Sequence, residues 1–398
     1  MKVLIADKLS KNTVTALEAL GLEVVVQADL TEDKLPEAIG DAGILVVRST
    51  KVSAKTIEAG KALALIIRAG AGVNTIDLAA ASAKGVYVAN CPGKNTAAVA
   101  ELTIGLLIAA DRRIANATVG MRAGKWEKKE YGKARGLKGR TLGILGLGNI
   151  GKAVAQRAKA LEMNVIAWDG WWLTPELAEK NGVGYAASPE QLAAASDAVT
   201  VHLAASPVSA HMINKSFLDA MKEGAILINA SRGELVDTAA LKEAIVKKNL
   251  RVGMDVYENE PSATATAFPD TELAGLVTCT PHVGASTDEA SEAIAQETVR
   301  IVDVFLKTGN PPGTVNVCKQ SPAVCGLVIR MLNKPGILAD VLGMLRDEGV
   351  NVDEVDNTVF EGAKASSCSI LLDQQPSKKL LDCLRANPSI VHVMLSKR

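Results

Sequence analysis

The chain has 398 residues, and its 44 basic side chains are balanced by 44 acidic ones. A formal net charge of zero gives no sign of a nucleic-acid or membrane-surface partner, and the apolar runs are too short to cross a bilayer. With 48% hydrophobic residues, a chain of this length is predicted to form about two or three domains with buried cores.

The first 70 residues alternate apolar runs with a helical pattern. The opening residues, MKVLIAD, lead directly into an apolar run and show no secretory signal. Such alternation is typical of a parallel sheet covered by helices, so the chain is predicted to open with an α/β domain. The predicted strands span 3–7, 22–26, 44–48 and 64–70, with a helix near 11–20.

The segment at 97–110, AAVAELTIGLLIAA, is predicted to form a helix that is apolar on nearly every side. A helix on the surface of a globular domain usually carries a single apolar stripe. We therefore expect this helix to pack in a subunit interface as well as in the core. The protein is expected to be a homodimer or a homotetramer.

An apolar run at 141–145 is followed by three glycines and a helical pattern. Gly146, Gly148 and Gly151 fit the G-x-G-x-x-G turn of dinucleotide-binding domains. The first glycine allows a tight turn, the second lets the backbone approach a pyrophosphate, and the third lets the helix pack close to the strand. The N–H groups at the helix start then face the phosphates. The predicted cofactor loop comprises Gly146, Gly148, Asn149, Ile150 and Gly151.

Asp169 closes the next apolar run, NVIAW, at the position where such domains bind a ribose. Its carboxylate is placed to accept hydrogen bonds from both hydroxyls of the adenosine ribose. A 2′-phosphate would meet a negative charge there, and no Arg follows at Gly170 or Trp171. The sequence therefore predicts NAD, rather than NADP, as the cofactor.

Further strand-and-loop segments follow, and three of them end in side chains that carry chemistry: Arg232, Glu260 and His282. The carboxyl ends of parallel strands share one edge of the sheet, where the ligand crevice lies. We therefore expect the three side chains to meet beside the nicotinamide. The segments span 195–207, 225–237, 250–261 and 276–287.

This set of side chains suits hydride transfer at a 2-hydroxy acid. An imidazole titrates near neutral pH and can take the hydroxyl proton. A carboxylate beside it orients the ring and favours its protonated form, and a guanidinium binds the substrate carboxylate. Each residue alone also fits a capping, packing or surface role, so the catalytic interpretation depends on their joint position.

The cysteines indicate a reducing compartment. They stand at 91, 279, 318, 325, 368 and 383, with no C-x-x-C pair and no regular spacing. We expect reduced thiols in a cytoplasmic protein and no metal site.

The chain resembles the D-2-hydroxyacid dehydrogenases. The resemblance rests on LGILGLGNIGKAVAQRAKA, INASRGELVD, GMDVYENEP and TPHVGAST, together with the segment at 95–114, in the family's order. It implies that Arg232 binds substrate, that His282 is the general acid/base and that Glu260 is its carboxylate partner. One departure is Ala204, which stands where family members often carry a proline.

The resemblance also implies an interdomain cleft with further binding residues. Asp255 matches an acid near the nicotinamide amide, and Ala230 and Gly284 lie in the matching cofactor segments. Lys128, in the basic run GKWEKK at 124–129, matches a position thought to reach a substrate phosphate, and Arg48 is a second candidate. The alternative for the basic run is a solvated surface face. The first domain is expected to face the substrate with Arg48, Ser49, Ala71, Gly72, Val73 and Asn74.

The predicted fold is α/β, with two doubly wound parallel-sheet domains and a third, smaller domain. A flavodoxin-like substrate domain of 1–94 and 286–318 would hold an inserted Rossmann NAD domain of 95–285. A C-terminal α+β domain would cover 322–398.

The tail that follows the Pro/Gly linker at 308–316 has a βαββαβ pattern. With NKPG at its first strand–helix turn, it resembles an ACT domain, a small-molecule sensor often fused to enzymes of amino-acid biosynthesis. Asn333 and Asn351 match amide ligands of serine-regulated relatives, whereas Met331 stands where some of those relatives carry a histidine. The expected ligand is L-serine or another amino acid, and a domain used only for oligomer contacts is the alternative.

Within the family, the chain is most similar to members that oxidise D-3-phosphoglycerate to 3-phosphohydroxypyruvate with NAD, the first step of L-serine biosynthesis. A reductase of glyoxylate, hydroxypyruvate or another 2-keto acid would use the same residues, but such reductases generally lack the tail. An NAD-sensing binding protein is a third hypothesis, which the tail and the absence of low-complexity extensions disfavour.

Overall fold

A computed structural model describes residues 1–170, 172–261 and 265–397 of the chain. The chain divides into two compact units, Met1–Asn316 and Val317–Arg398. Trp171, which entered the choice between NAD and NADP, lies outside the described residues. Among those residues, no helix has the length and apolar character that a bilayer crossing requires.

The first sheet of the first unit is parallel and has five strands. They are β1 (Lys2–Ile5), β2 (Glu23–Val26), β3 (Ile44–Val47), β4 (Leu65–Arg68) and β5 (Tyr87–Asn90), in the order β2-β1-β3-β4-β5. Successive residues of β1 enter different cores, with Val3 and Ile5 on one face and Leu4 on the other. Burial on both faces explains why these strands are continuous apolar runs, and the four strands predicted in this region are present.

The second sheet of the first unit is also parallel and carries the glycine motif. Its strands are β6 (Thr141–Leu145), β7 (Asn164–Trp168), β8 (Gly184–Tyr185), β9 (Ala198–Val201), β10 (Ile226–Asn229), β11 (Arg251–Met254) and β12 (Thr278–Cys279). The order is β12-β11-β10-β9-β6-β7-β8, so the chain direction across the sheet reverses between β6 and β9. This reversal creates the crevice in which doubly wound folds bind their ligands.

Helices cover both sheets of the first unit. They are α1 (Lys11–Ala19), α2 (Leu35–Ala38), α3 (Ala54–Ala59), α4 (Leu78–Ala83), α5 (Thr96–Arg112), α6 (Ile114–Arg122), α7 (Lys128–Tyr131), α8 (Asn149–Ala160), α9 (Pro175–Lys180), α10 (Pro189–Ala195), α11 (Lys215–Ala220), α12 (Thr238–Lys248), α13 (Thr271–Leu276) and α14 (Asp288–Thr308).

Two of these helices join the sheets. After β5 the chain enters α5, which buries Leu106 and Leu107 in the core of the second sheet. It returns through α14, whose Ile294 and Ile301 pack in the core of the first sheet. Helix α14 lies within the segment 286–318 that was predicted to belong to the substrate domain. The interface role expected for the apolar helix α5 stays a prediction.

The second unit is a four-stranded antiparallel sheet with two helices. Its elements are β13 (Cys325–Leu332), α15 (Ile337–Asp347), β14 (Val352–Val359), β15 (Ala365–Leu372), α16 (Lys378–Ala386) and β16 (Ile390–Lys397). The order of these elements along the chain confirms the predicted βαββαβ pattern. In the sheet, the strand order is β14-β15-β13-β16. Val341 and Leu384 of the helices pack on Leu327 and Ile370 of the sheet to form its core.

Candidate active site

The glycine loop after β6 has the shape that a dinucleotide requires. Gly146 is left-handed (φ 95°), and a Cβ there would lie 2.7 Å from the main-chain oxygen of His202. A Cβ on Gly151 would overlap the carbonyl oxygen of Gly146, whereas a Cβ on Gly148 would meet no atom within 4 Å. The first and third glycines are therefore required by packing. The second faces open space at the start of α8, where helix N–H groups favour a phosphate.

Asp169 lies next to this loop. Its Oδ2 accepts a hydrogen bond of 2.6 Å from the N–H of Leu147, and Gly146 N–H donates to the Trp168 carbonyl at 2.8 Å. The half-buried carboxylate therefore stands beside the turn, at the end of β7, as ribose binding requires. The open space at Gly148 and the position of Asp169 together fit a bound NAD.

Asp255, at the end of β11, fixes the loop that carries His282. The carboxylate is 1% exposed and accepts hydrogen bonds from Thr280 Oγ1 at 2.6 Å and from the N–H groups of Val283 and Gly284, both at 2.8 Å. A Cβ on Gly284 would lie 2.9 Å from Asp255 Oδ2, so this position needs a glycine. Asp255 thus shapes the backbone on both sides of the imidazole.

His282 and Glu260 form the expected pair. His282 Nδ1 lies 2.5 Å from Glu260 Oε1, and the two side chains are 45% and 36% exposed. Since Nδ1 contacts the carboxylate, Nε2 is the ring nitrogen available to a substrate hydroxyl. His282 also has a left-handed backbone (φ 52°), which is uncommon for a residue with a side chain.

Arg232 follows β10 and is held by its neighbours. The buried Asn229 accepts hydrogen bonds from Ser231 N–H and Oγ and donates to the Arg232 carbonyl at 2.9 Å. The Arg232 guanidinium donates to the Ser231 carbonyl at 2.6 Å. A Cβ on Gly72 would overlap this guanidinium, so the loop after β4 and the loop after β10 meet here.

A cleft of about 820 Å³ lies between the two sheets, within the first unit. This size suits a cofactor and a small substrate. Its lining brings together most of the predicted site: Ala71, Gly72, Val73, Asn74, Ile150, Ala230, Arg232, Asp255, His282 and Gly284. Glu260 joins it through His282.

Three predicted substrate residues are not part of this lining. The N–H groups of Arg48 and Ser49 donate to Asp7 Oδ2 at 2.7 and 3.1 Å, which fixes the turn after β3. Lys128 lies on α7 beside an apolar pocket formed with Trp126 and Met121, and within one chain it does not reach the cleft.

Sequence analysis missed Arg68, the last residue of β4, which lines the cleft. Burial and the charges of Arg232 and Arg48 lower the pKa of Arg68 to about 10. Its buried Nε has no hydrogen-bond partner among the described residues. The available signal was its place between the apolar run ALII and the glycine-containing loop at 70–74.

In the second unit, the two predicted asparagine ligands lie at opposite ends of the sheet. Asn333 follows the end of β13 and donates to the Ala363 carbonyl at 2.9 Å. Asn351 precedes β14 and donates to Asp353 Oδ1, also at 2.9 Å. Met331, which replaces a histidine of some relatives, is buried in the core. One copy of this unit therefore does not bring the two amides together.

Comparisons with known proteins agree with this geometry. The family model described as "D-isomer specific 2-hydroxyacid dehydrogenase, NAD binding domain" matches residues 104–284, and the ACT domain model matches residues 327–389. The chain is 36% identical over 383 residues to a D-3-phosphoglycerate dehydrogenase of Methanocaldococcus jannaschii, which covers 96% of this chain and 71% of that protein. Other curated relatives of the same name are longer, and the chain spans 54% to 63% of their length.

Two further relatives match 77% and 80% of the chain. A hydroxypyruvate reductase of Thermotoga maritima is 40% identical over 310 residues, which are 77% of this chain and 98% of that protein. The crystal structure of NAD⁺-bound 3-phosphoglycerate dehydrogenase of Entamoeba histolytica matches with a TM-score of 0.65 and 28% identity, over 80% of this chain and 99% of that one.

Proposed function

Because the chain belongs to the D-isomer specific 2-hydroxyacid dehydrogenase family, we propose that it oxidises D-3-phosphoglycerate to 3-phosphohydroxypyruvate with NAD. This reaction would be the first step of L-serine biosynthesis. The observation that carries the proposal is the convergence of Arg232, Arg68 and the His282–Glu260 pair on one cleft. An NAD-dependent dehydrogenase needs this chemistry at the point where its cofactor meets the substrate.

The arginines favour a substrate with two anionic groups. Arg232 presents a planar fork that suits a carboxylate. Among the described residues, the buried Nε of Arg68 has no hydrogen-bond partner. Burial and the positive charges of Arg232 and Arg48 disfavour the charged form of its guanidinium. A phosphate beside Arg68 in the cleft would relieve this repulsion and supply an acceptor for its guanidinium. Phosphoglycerate carries both anionic groups, whereas glyoxylate carries only one.

The residues of the cleft divide the reaction between them. Gly146–Gly151 and Asp169 would hold NAD, which when bound would accept the hydride from C2 of the substrate. Arg232 binds the carboxylate and polarises the oxygen on C2. His282 takes the hydroxyl proton at Nε2, and Glu260 stabilises the imidazolium that forms. The hydroxyl oxygen thus loses a proton and C2 loses a hydride, which converts the carbinol to the ketone.

Hydroxypyruvate reduction is the second candidate. The Thermotoga maritima relative carries that name and is matched over 98% of its length. The same residues would act in reverse, with His282 as the acid. Because that relative covers 77% of this chain, the reductase assignment leaves the rest of the chain without a function.

For the second unit, we propose that it binds an amino acid, L-serine being the first to test. Asn333 and Asn351 lie at opposite ends of its sheet, so a site that uses both would form between two copies in a homodimer or homotetramer. A cytoplasmic location is also proposed, because all six cysteines are unpaired thiols, as in proteins of reducing compartments.

The substrate proposal is tested by Arg68→Gln. Loss of one charged hydrogen-bond partner should raise the KM for D-3-phosphoglycerate roughly 10- to 100-fold. The KM for D-glycerate, which lacks the phosphate, should change much less. Arg385→Gln, on α16 of the second unit, is the matched control for loss of a positive charge. Equal KM changes for both substrates would contradict phosphate binding by Arg68.

A further inference from the structure

A second histidine–carboxylate pair lies beside the catalytic one. His211 Nε2 lies 2.5 Å from Glu258 Oε1, the distance that also separates His282 Nδ1 from Glu260 Oε1. Glu258 and Glu260 are two residues apart in the loop after β11, whereas His211 belongs to the loop after β9. The segment 258–260 is therefore held at both ends: Glu258 contacts the imidazole of His211, and Glu260 contacts the imidazole of His282.

The His211–Glu258 pair connects the three loops that build the site. His211 N–H donates to the Glu234 carbonyl at 2.9 Å, and Ile213 N–H donates to the Leu235 carbonyl at the same distance. Glu258 Oε2 accepts a hydrogen bond of 3.2 Å from Thr238 N–H. Residues 234–238 follow Arg232 and Gly233 in the chain. The loops after β9, β10 and β11 thus meet at His211 and Glu258.

Close backbone packing adds to this connection. A Cβ on Gly233 would overlap the Tyr257 carbonyl, so the turn that presents Arg232 lies directly on the segment that leads to Glu260. A movement of Glu258 would therefore displace both Arg232 and Glu260.

The local conformation of His211 is unusual for a solvent-facing residue. Its backbone is left-handed (φ 49°), a region that residues with a side chain rarely adopt without a compensating contact. Its contact is Glu258. Burial alone would raise the pKa of Glu258, but hydrogen bonds from Thr238 and His211 outweigh it and hold the pKa below its ordinary value. Glu258 is therefore an ionised acceptor at neutral pH.

We propose that His211 is a positioning residue for the reaction. Through Glu258 it fixes the segment that holds Glu260 against His282 and the turn that presents Arg232. This inference rests on the proposed function, since it assigns the acid–base role to His282. A contribution to global stability does not explain the pair, because half-exposed ion pairs add little to stability.

Three variants test this role: His211→Ala, His211→Gln and, as a control, Lys215→Ala. Lys215 forms an exposed ion pair with Asp219 on α11, among residues that do not line the cleft. His211→Ala should lower kcat about three- to tenfold, less than the roughly hundredfold loss from a 1 Å displacement of reacting groups, because Glu260 keeps its own contact. His211→Gln retains a donor for Glu258 and should recover most of this loss.

The separation of kcat from KM distinguishes positioning from a structural role. In His211→Ala, KM, NADH affinity and the thermal midpoint should stay near the wild-type values. In Lys215→Ala, these three quantities and kcat should all stay near the wild-type values. An unchanged kcat in His211→Ala would overturn the proposal. So would a fall in kcat that is accompanied by equal losses of stability and NADH affinity, without recovery in His211→Gln.

A spectroscopic measurement keeps this test independent of the substrate. The chain has four histidines, so the ring nitrogen signals can be resolved by NMR and His282 assigned with a His282→Gln variant. At fixed pH, His211→Ala should shift the His282 ring nitrogens, and His211→Gln should restore them. Unchanged signals would overturn the positioning role. Absence of turnover with every 2-hydroxy or 2-keto acid would instead refute the proposed function.

Discussion

Replacing Gly148 with Ala separates cofactor binding from folding. The residue has φ −71° and ψ −163°, which alanine adopts freely, and an added Cβ would meet no atom within 4 Å. Alanine reduces the entropy of the unfolded chain, a gain of about 0.4–1 kcal/mol. It is a poorer N-cap than glycine for α8, at a cost of similar size. The free energy of unfolding should therefore change by less than about 0.5 kcal/mol.

The same Cβ would occupy the space in which the pyrophosphate approaches the backbone. Forcing a methyl group into a packed contact costs about 1–3 kcal/mol, which corresponds to roughly a 5- to 150-fold weaker NADH affinity. The assay is a fluorescence titration with NADH, paired with urea unfolding of the cofactor-free protein. Gly151→Ala is the contrast, because its Cβ overlaps the Gly146 carbonyl and should reduce stability as well.

The outcome that refutes this reasoning is specific. If Gly148→Ala bound NADH within about twofold of wild type, the open space at Gly148 would not be the pyrophosphate site. If it lost affinity only in proportion to a loss of stability, the effect would belong to the fold.

The remaining predictions concern the catalytic base and a buried acid. His282→Ala should lower kcat about a hundredfold or more while NADH affinity is retained, as stopped-flow and titration measurements would show; unchanged turnover would remove the base assignment. Glu297 on α14 is held by Arg300 at 2.6 Å and Lys94 at 3.3 Å, and the Arg300 hydrogen bond contributes most to a pKa below the ordinary value. Glu297→Gln should therefore cost about 1–3 kcal/mol at pH 7. Because the pKa is lowered in the folded state, this difference is present above the unfolded pKa of about 4.3 and disappears as the pH falls through the folded value, which urea unfolding across pH would measure. A difference that persisted unchanged at the lowest pH would contradict the ion-pair explanation.

The fold was predictable where burial dictates sequence. Parallel strands buried on both faces are continuous apolar runs, and the predicted runs at 141–145 and 164–168 coincide with β6 and β7. The glycine motif was equally readable, because its backbone geometry tolerates few other residues. The predictions of an NAD-dependent dehydrogenase and of an ACT domain followed from these patterns together with the family resemblance.

Contacts between distant loops were not predictable. Arg68 reads as an ordinary end of an apolar run, and its importance depends on Arg232 reaching Gly72 from the other sheet. His211 and Glu258 are 47 residues apart, and although Glu258 lies in the segment GMDVYENEP, His211 belongs to none of the segments that carry the resemblance. The separation of Asn333 from Asn351 likewise depends on strand register, which places them at opposite ends of one sheet.

The central claim is tested most directly by NADH formation from NAD and D-3-phosphoglycerate with the purified full chain. The account predicts clear turnover, faster than the reduction of glyoxylate or 2-oxoglutarate measured in the reverse assay. No turnover of phosphoglycerate together with rapid NADH consumption on hydroxypyruvate would contradict the account and identify a reductase. Intact NADH binding without turnover of any substrate would contradict it as well and leave an NAD-sensing protein.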